Sequence, residues 1–255
     1  MIANYHTHTY RCGHAVGEDR QYVETAIERG LKVLGFSDHV PMPFLDGHES
    51  RFRVPLGQLE DYVTSVLDLR AEYKRDIDVR LGFEAEYYPD LFEAMLELLR
   101  PYPVDYMILA QHFNDSRETI YNPHLQLSRE ALHQYVDMVV AGMETGKYSC
   151  VAHPDLFYFA GPDRVYQREM ARICRRAKEL DVPLEINVLG LREGRCYPND
   201  LFWPLVKAEG CRVVLGCDAH RPEDVADPGQ LKAAMAFADR FGVVPEAQIS
   251  LRKPF

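Results

Sequence analysis

The chain has 255 residues, 47% of them hydrophobic and 27% charged, and a formal net charge of −10. That length suits one α/β barrel of about 250 residues, and the composition is that of an ordinary globular protein. The acidic balance argues against a nucleic-acid-coating surface, which needs a Lys/Arg excess on one face, and no apolar run approaches the roughly 18–20 residues that span a bilayer.

Strand and helix signals alternate from the first residues onward. A strand is expected over 2–6, then a helix over 19–29 closed by Gly30. A strand over 32–36 leads into a long loop, 40–55, rich in Pro, Gly and charge. The helix expected over 59–73 carries Leu59, Val63, Val66, Leu67 and Leu69 on one broad face. Strands over 79–84 and 104–110 follow, then a second long loop, 114–127, and a helix from the cap residue Ser128 to about Thr145, closed by Gly146. Strands over 149–153, 184–188 and 212–216 alternate with helices over 164–180 and 231–241. Near-continuous apolar strands interleaved with helices imply a parallel sheet covered on both faces. Seven repeats without a doubly wound signature favour an α/β barrel, one domain over 1–255. Both long loops follow strands that end in candidate site residues, so both overhang the same mouth.

Seven of the ten histidines, with one Glu and one Asp, fall where these apolar runs end. They are His6, His8, His14, His39, Glu84, His112, His153, Asp218 and His220. Side chains alternate across a strand, so His6 and His8 project to one side, and Asp218 and His220 repeat that spacing on the last strand. Strand C-termini are where barrel enzymes build their sites, and nine imidazole and carboxylate donors exceed what one ion holds. The expectation is a multinuclear metal centre. In Glu84-Ala85-Glu86 the apolar run ends at Glu84, which is the expected ligand, with Glu86 an acceptor behind it. Asp38 is expected to face away from the metal or to orient an imidazole. His133 is expected on a helix surface, and His48 and His124 in solvated loops.

The six cysteines show no C-x-x-C spacing, which suits reduced thiols; Cys12 and Cys217, beside candidate ligands, are expected to pack rather than bind. With a histidine pair beginning at residue 6, no signal peptide is expected before it, and a cytoplasmic location is expected.

His6-Thr7-His8 with His14, then Asp38-His39, Glu84, His112, His153 and Asp218-Ala219-His220 resemble the motif set of the PHP superfamily, whose name comes from polymerase and histidinol-phosphatase domains. The resemblance runs over essentially the whole chain. It implies a distorted (β/α)7 TIM-like barrel holding three divalent ions, zinc, manganese or iron, at the C-terminal ends of its strands: one on His6, His8 and Asp218, a second on His112 and His153 with Glu84 as bridge, a third on His14, His39 and His220. Gly35-Phe36-Ser37-Asp38-His39, Gly82-Phe83-Glu84-Ala85-Glu86-Tyr87-Tyr88, Ala152-His153-Pro154-Asp155, Glu185-Ile186-Asn187 and Gly190-Leu191-Arg192 resemble the monofunctional histidinol-phosphate phosphatases within it. The implied activity is hydrolysis of L-histidinol phosphate by a metal-bridging hydroxide, with a small phosphorylated substrate and no nucleic-acid or membrane partner.

On this reading Glu84, Asp218, His220 and Arg192 are the expected catalytic residues. Arg192 is the expected phosphate clamp, because guanidinium offers a planar two-donor fork. His112, His153, Arg164 and Arg117 are further expected substrate contacts. The amine and imidazole of the substrate are expected to meet Asp46 or Glu49 and one of Tyr87, Tyr88, Phe113 or Phe157. Three other functions compete. A broader phosphoesterase or nuclease lacks a basic groove here. An amidohydrolase-type barrel leaves His14 and His39 unexplained. A structural metal module is usually closed, four-liganded and cysteine-rich.

Overall fold

A computed structural model describes residues 1–44, 47–48 and 50–255. Eight parallel strands pair in chain order: β1 (Ala3–Asn4), β2 (Val33–His39), β3 (Asp78–Ala85), β4 (Tyr106–Leu109), β5 (Cys150–Val151), β6 (Leu184–Asn187), β7 (Val213–Gly216) and β8 (Pro245–Glu246). The helices are α1 (Asp19–Glu28), α2 (Leu59–Glu72), α3 (Phe92–Leu99), α4 (Arg129–Glu144), α5 (Asp163–Glu179), α6 (Val188–Glu193), α7 (Trp203–Glu209) and α8 (Pro228–Phe241). The sheet curls into a TIM-like barrel. Its seam is distorted: β8 pairs with the start of β7 at Val213 and Val214, while Thr7, beyond β1, forms a parallel bridge to Ala219, beyond β7.

The seven expected strands are all present, and an eighth, two residues long, fills the lower seam. β2 runs three residues past its expected end, so His39 lies inside the ladder, paired with Glu84. Helices α3, α6 and α7 were not expected; six to eight residues make too few turns for their periodicity to stand out. The expected caps hold, with Ser128 accepting from the Ala131 amide. No helix among the described residues is long and apolar enough to cross a membrane.

The larger core lies between sheet and helices, and a smaller one fills the barrel around Tyr5, Tyr106, Ile108 and Val214. The Tyr106 ring crosses that interior over Gly35 and Gly82, its hydroxyl donating between the carbonyls of Tyr5 (2.9 Å) and Phe36 (3.1 Å). A Cβ on Gly82 would lie 2.3 Å from Tyr106 Cε1. Gly82→Ala is therefore expected to destabilise the fold by about 1–3 kcal/mol through overpacking. Urea unfolding measures this, and an unchanged midpoint would mean the ring has room to move.

Candidate metal centre

The seam of the barrel assembles the site. The His8 amide donates to Ala219 O (3.0 Å) and the Ala219 amide to His6 O (3.3 Å). This rung sets His6 and His8 against Asp218 and His220, because residues either side of Thr7 and of Ala219 share a face. His8 Nε2 lies 3.0 Å from Asp218 Oδ1, and His6 Nε2 3.5 Å from the same oxygen. β2 adds His39 and β3 adds Glu84, while His112 and His153 follow β4 and β5.

Glu84 is the hub. Its Oε1 is 2.8 Å from His153 Nε2, 3.4 Å from His6 Nε2 and 3.6 Å from His112 Nε2. Its Oε2 is 3.0 Å from His39 Nδ1 and 3.4 Å from His8 Nε2. Behind the imidazoles stands a layer of oxygen acceptors. Nδ1–H of His6 donates to Glu185 (2.8 Å), that of His112 to Glu86 (2.7 Å), and that of His8 approaches Asp38 (3.4 Å). His14 and His220 donate to the carbonyls of Cys12 and Asp218, each at 3.0 Å. Tying Nδ1 to an acceptor leaves Nε2 as the ligating nitrogen, the usual arrangement behind a metal-bound histidine.

The donor atoms fit divalent ions. His6 Nε2, His8 Nε2, His39 Nδ1, His153 Nδ1, His220 Nε2 and Glu84 Oε2 are buried without a hydrogen-bond partner among the described residues. Orphaned buried polar atoms are costly, and this many in one cluster point to a ligand. Ligand atoms come within 4.8 Å of one another in the sets His8-His39-His220, His6-His153-Asp218, His6-His8-Glu84 and Cys12-His14-His220. Imidazole with carboxylate suits zinc, manganese or iron. Cys217 is buried and takes the Ala226 amide, as expected of a packing thiol.

Without bound metal, protons balance the cluster. Burial opposes charge on His6, but Glu185, Asp218 and Glu84 together hold its pKa well above the ordinary histidine value. His8 is raised likewise against burial, by Asp218 and Asp38. Burial and neighbouring imidazoles push two rings down: His39 falls well below the ordinary value despite Glu84, and His220 falls to about 3. Burial would raise Glu84 and Asp218, yet the surrounding imidazoles hold both well below the usual carboxylate range.

Above the ligand cluster opens a cavity of about 530 Å³. Arg51, Arg192, Arg195 and Arg221 line it, with Phe52, Phe113, Tyr121, Tyr197 and Leu189. Both long loops contribute, Arg51 and Phe52 from the first and Tyr121 from the second. Arg192 is held by Asp224 and by Glu193 (3.1 Å), and Arg195 by Glu193 and the Tyr197 hydroxyl (both 2.7 Å).

Several sequence expectations fall elsewhere. Arg164 is exposed on the first turn of α5 and Arg117 is exposed on the second long loop; neither lines the cavity. Tyr88 and Phe157 are buried in the core, and Tyr87 packs on Phe92, so Phe113 alone of the four expected aromatics lines the cavity. Asp46 and Glu49 lie outside the described residues. His133 pairs with Glu169 on the α4 surface, and His48 meets Glu118.

Sequence reasoning assigned no role to Glu185, Asn187, Asp155 or Arg53. Asn187 Nδ2 donates to Glu185 (3.0 Å) and Asp218 (3.1 Å), so β6 braces the ligand strand beside it. Two polar residues two apart in a fully buried strand were the available signal. Asp155, which burial raises to about 7, accepts from Asn199 N (2.5 Å) and Trp203 Nε1 (3.0 Å), anchoring the segment that carries Arg195 and Tyr197. His153 and Asp218 adopt positive φ, 28° and 50°, a strained backbone that surrounding contacts must hold.

The PHP domain family matches residues 4–188. A probable histidinol-phosphatase of Deinococcus radiodurans is 29% identical over 234 residues, covering 88% of each chain. The histidinol-phosphatase of Bacillus subtilis is 29% identical over 254 residues, covering 86% of this chain and 94% of its own. Among solved structures, histidinol phosphate phosphatase from Lactococcus lactis, complexed with zinc, L-histidinol and phosphate, shares the fold. Its TM-score is 0.75 at 20% identity, with 98% of each chain covered.

Two expectations follow from the acceptor layer and its protons. Glu185→Ala is expected to weaken zinc binding by about 10–100-fold, measured by chelator competition; unchanged affinity would remove Glu185 as the residue that orients His6. The raised pKa values of His6 and His8 keep them protonated above the ordinary histidine value near ~6.5, so zinc must displace those protons. Calorimetry at pH 7.5 in buffers of different ionisation enthalpy should therefore detect proton release, and its absence would mean both rings are already neutral there.

Proposed function

The chain belongs to the PHP domain family, and from that premise we propose that it is a metal-dependent phosphomonoesterase hydrolysing L-histidinol phosphate to L-histidinol and phosphate. The carrying observation is a cavity lined by seven of the nine ligand-type side chains, His14, His39, Glu84, His112, His153, Asp218 and His220, and by four arginines, in a chain of net charge −10. Positive charge has been gathered at one place against the overall balance, as a phosphate dianion requires. The two histidinol-phosphatases matched along most of their length support the choice of substrate.

In this reading residues 1–255 act as one hydrolase domain holding three divalent ions. His6, His8 and Asp218 hold one. Glu84 is shared with a second on His112 and His153, and His14, His39 and His220 hold the third. When bound, such ions neutralise the phosphate dianion and bring the pKa of water towards neutrality.

The chain's own side chains orient the substrate. Arg192 is already tied to Asp224 and Glu193, which fixes its plane at the cavity wall. Arg51 and Arg221 have no carboxylate partner among the described residues and can turn their forks onto phosphate oxygens. Phe52, Phe113, Tyr121 and Tyr197 offer flat faces for the imidazole end.

The test is phosphate release by zinc- or manganese-reconstituted protein from L-histidinol phosphate, beside an aryl phosphate, other phosphomonoesters and a single-stranded oligonucleotide. The expected kcat/KM for histidinol phosphate is at least ~100-fold above the panel, about 2.7 kcal/mol in transition-state binding. Asp218→Asn should abolish release, and Arg192→Ala should raise KM for every phosphomonoester. Equal activity across the panel would discard the named substrate and leave a broader phosphoesterase.

A further inference from the structure

Arg53 lies near the end of the loop that follows β2, with a side chain only 2% exposed. A guanidinium persists at such a position only when its charge is answered. Two carboxylates answer it. One terminal nitrogen donates to Glu86 Oε2 (2.5 Å) and Nε donates to Glu118 Oε1 (2.8 Å). The other oxygen of Glu86 takes the Nδ1–H of His112 (2.7 Å), and the other oxygen of Glu118 lies 3.0 Å from His48 Nε2.

One cation thus joins three segments that the chain keeps apart. Glu86 follows β3, Arg53 and His48 belong to the first mouth loop, and Glu118 belongs to the second. The residues beside Arg53 are fixed to the site as well. The Val54 amide donates to His39 O (3.1 Å), and the Phe52 ring stands edge-on to His39 and His112 at 4.9 and 5.8 Å. An ion pair serving the loops alone would have no need of Glu86, whose other oxygen is engaged by His112.

We propose that Arg53 is a positioning residue that couples metal retention to the order of the mouth. Through Glu86 it holds the His112 ring with Nε2 turned to Glu84; through Glu118 it holds the loop that carries Tyr121 over the cavity. The inference rests on the metal-centre reading given above. The two arms are separable, because Glu118→Gln weakens only the loop arm, whereas Arg53→Met cuts both. Arg53→Lys keeps a point charge for Glu86 but loses the fork that spans two carboxylates.

The test measures zinc affinity by chelator competition, amide hydrogen exchange over 114–127, and Tm of the metal-free protein in wild type and the three variants. Arg53→Met is expected to lose about 10–100-fold in zinc affinity, the effect of removing a partner behind a metal ligand, and to exchange faster over 114–127. Glu118→Gln is expected to exchange faster there with near wild-type zinc affinity. Arg53→Lys should recover part of the zinc affinity without the loop protection. A purely structural role would lower the metal-free Tm while leaving zinc affinity unchanged in Arg53→Met, and that result overturns the proposal. If Arg53→Met does not fold, wild-type exchange in both Arg53→Lys and Glu118→Gln overturns it instead. Zinc binding by the wild type is read without substrate, so failure to hydrolyse histidinol phosphate discards that substrate alone, whereas failure to bind zinc removes the premise of this inference too.

Discussion

One buried carboxylate, Glu84, faces five imidazoles, and the rest of the site is arranged around that crowding. An imidazole pressed towards this centre needs a hydrogen-bond acceptor on its other side, or its remaining N–H is orphaned. Glu185, Asp38 and Glu86 meet that need for His6, His8 and His112, and the carbonyls of Cys12 and Asp218 do the same for His14 and His220 beside them. The acceptors then impose demands of their own. A Cβ at position 216 would lie 1.6 Å from Glu185 Oε1, so β7 carries glycine there. Glu86 is paired with the Arg53 cation, which ties the end of the first long loop to the strand ends. Constraint spreads outward from the carboxylate in successive layers.

The innermost layer was legible in the sequence because it is written locally. His6 and His8, or Asp218 and His220, announce themselves by two-residue spacing at the end of an apolar run. The next layer was not, because its meaning lies in distant pairings. Glu185 acts on a residue 179 positions earlier, and Arg53 on carboxylates 33 and 65 positions later. Nothing near Arg53 distinguishes it from the exposed Arg51 two residues before. Arg164 is a case of the same kind: it stands at the start of the helix expected over 164–180, where nothing local tells a solvent-facing arginine from one at the mouth, and it lies exposed on the first turn of α5. Architecture was more accessible than detail. Strand-helix alternation suffices for a barrel, whereas a two-residue β8 or a six-residue α6 falls below the length at which periodicity carries information.

Charge is distributed unevenly for the same functional reason. The chain is acidic overall, yet its cavity is walled by arginines, two of them held by carboxylates that fix their planes rather than bury their charge. Aromatic rings from three separate segments share that wall. A cavity with cationic and flat apolar faces accepts a molecule that is anionic at one end and planar at the other.

The rung between Thr7 and Ala219 has a consequence for how the protein comes into being. It joins residues near the two ends of the barrel, so the ligand pairs on either side of it meet only after some 212 further residues (Thr7 to Ala219) have been made. At common elongation rates the first histidines spend on the order of ten seconds or more in a nascent chain before their partners exist. Contacts of such long sequence separation close late and slowly. The donor cluster is therefore completed only as the barrel is sealed.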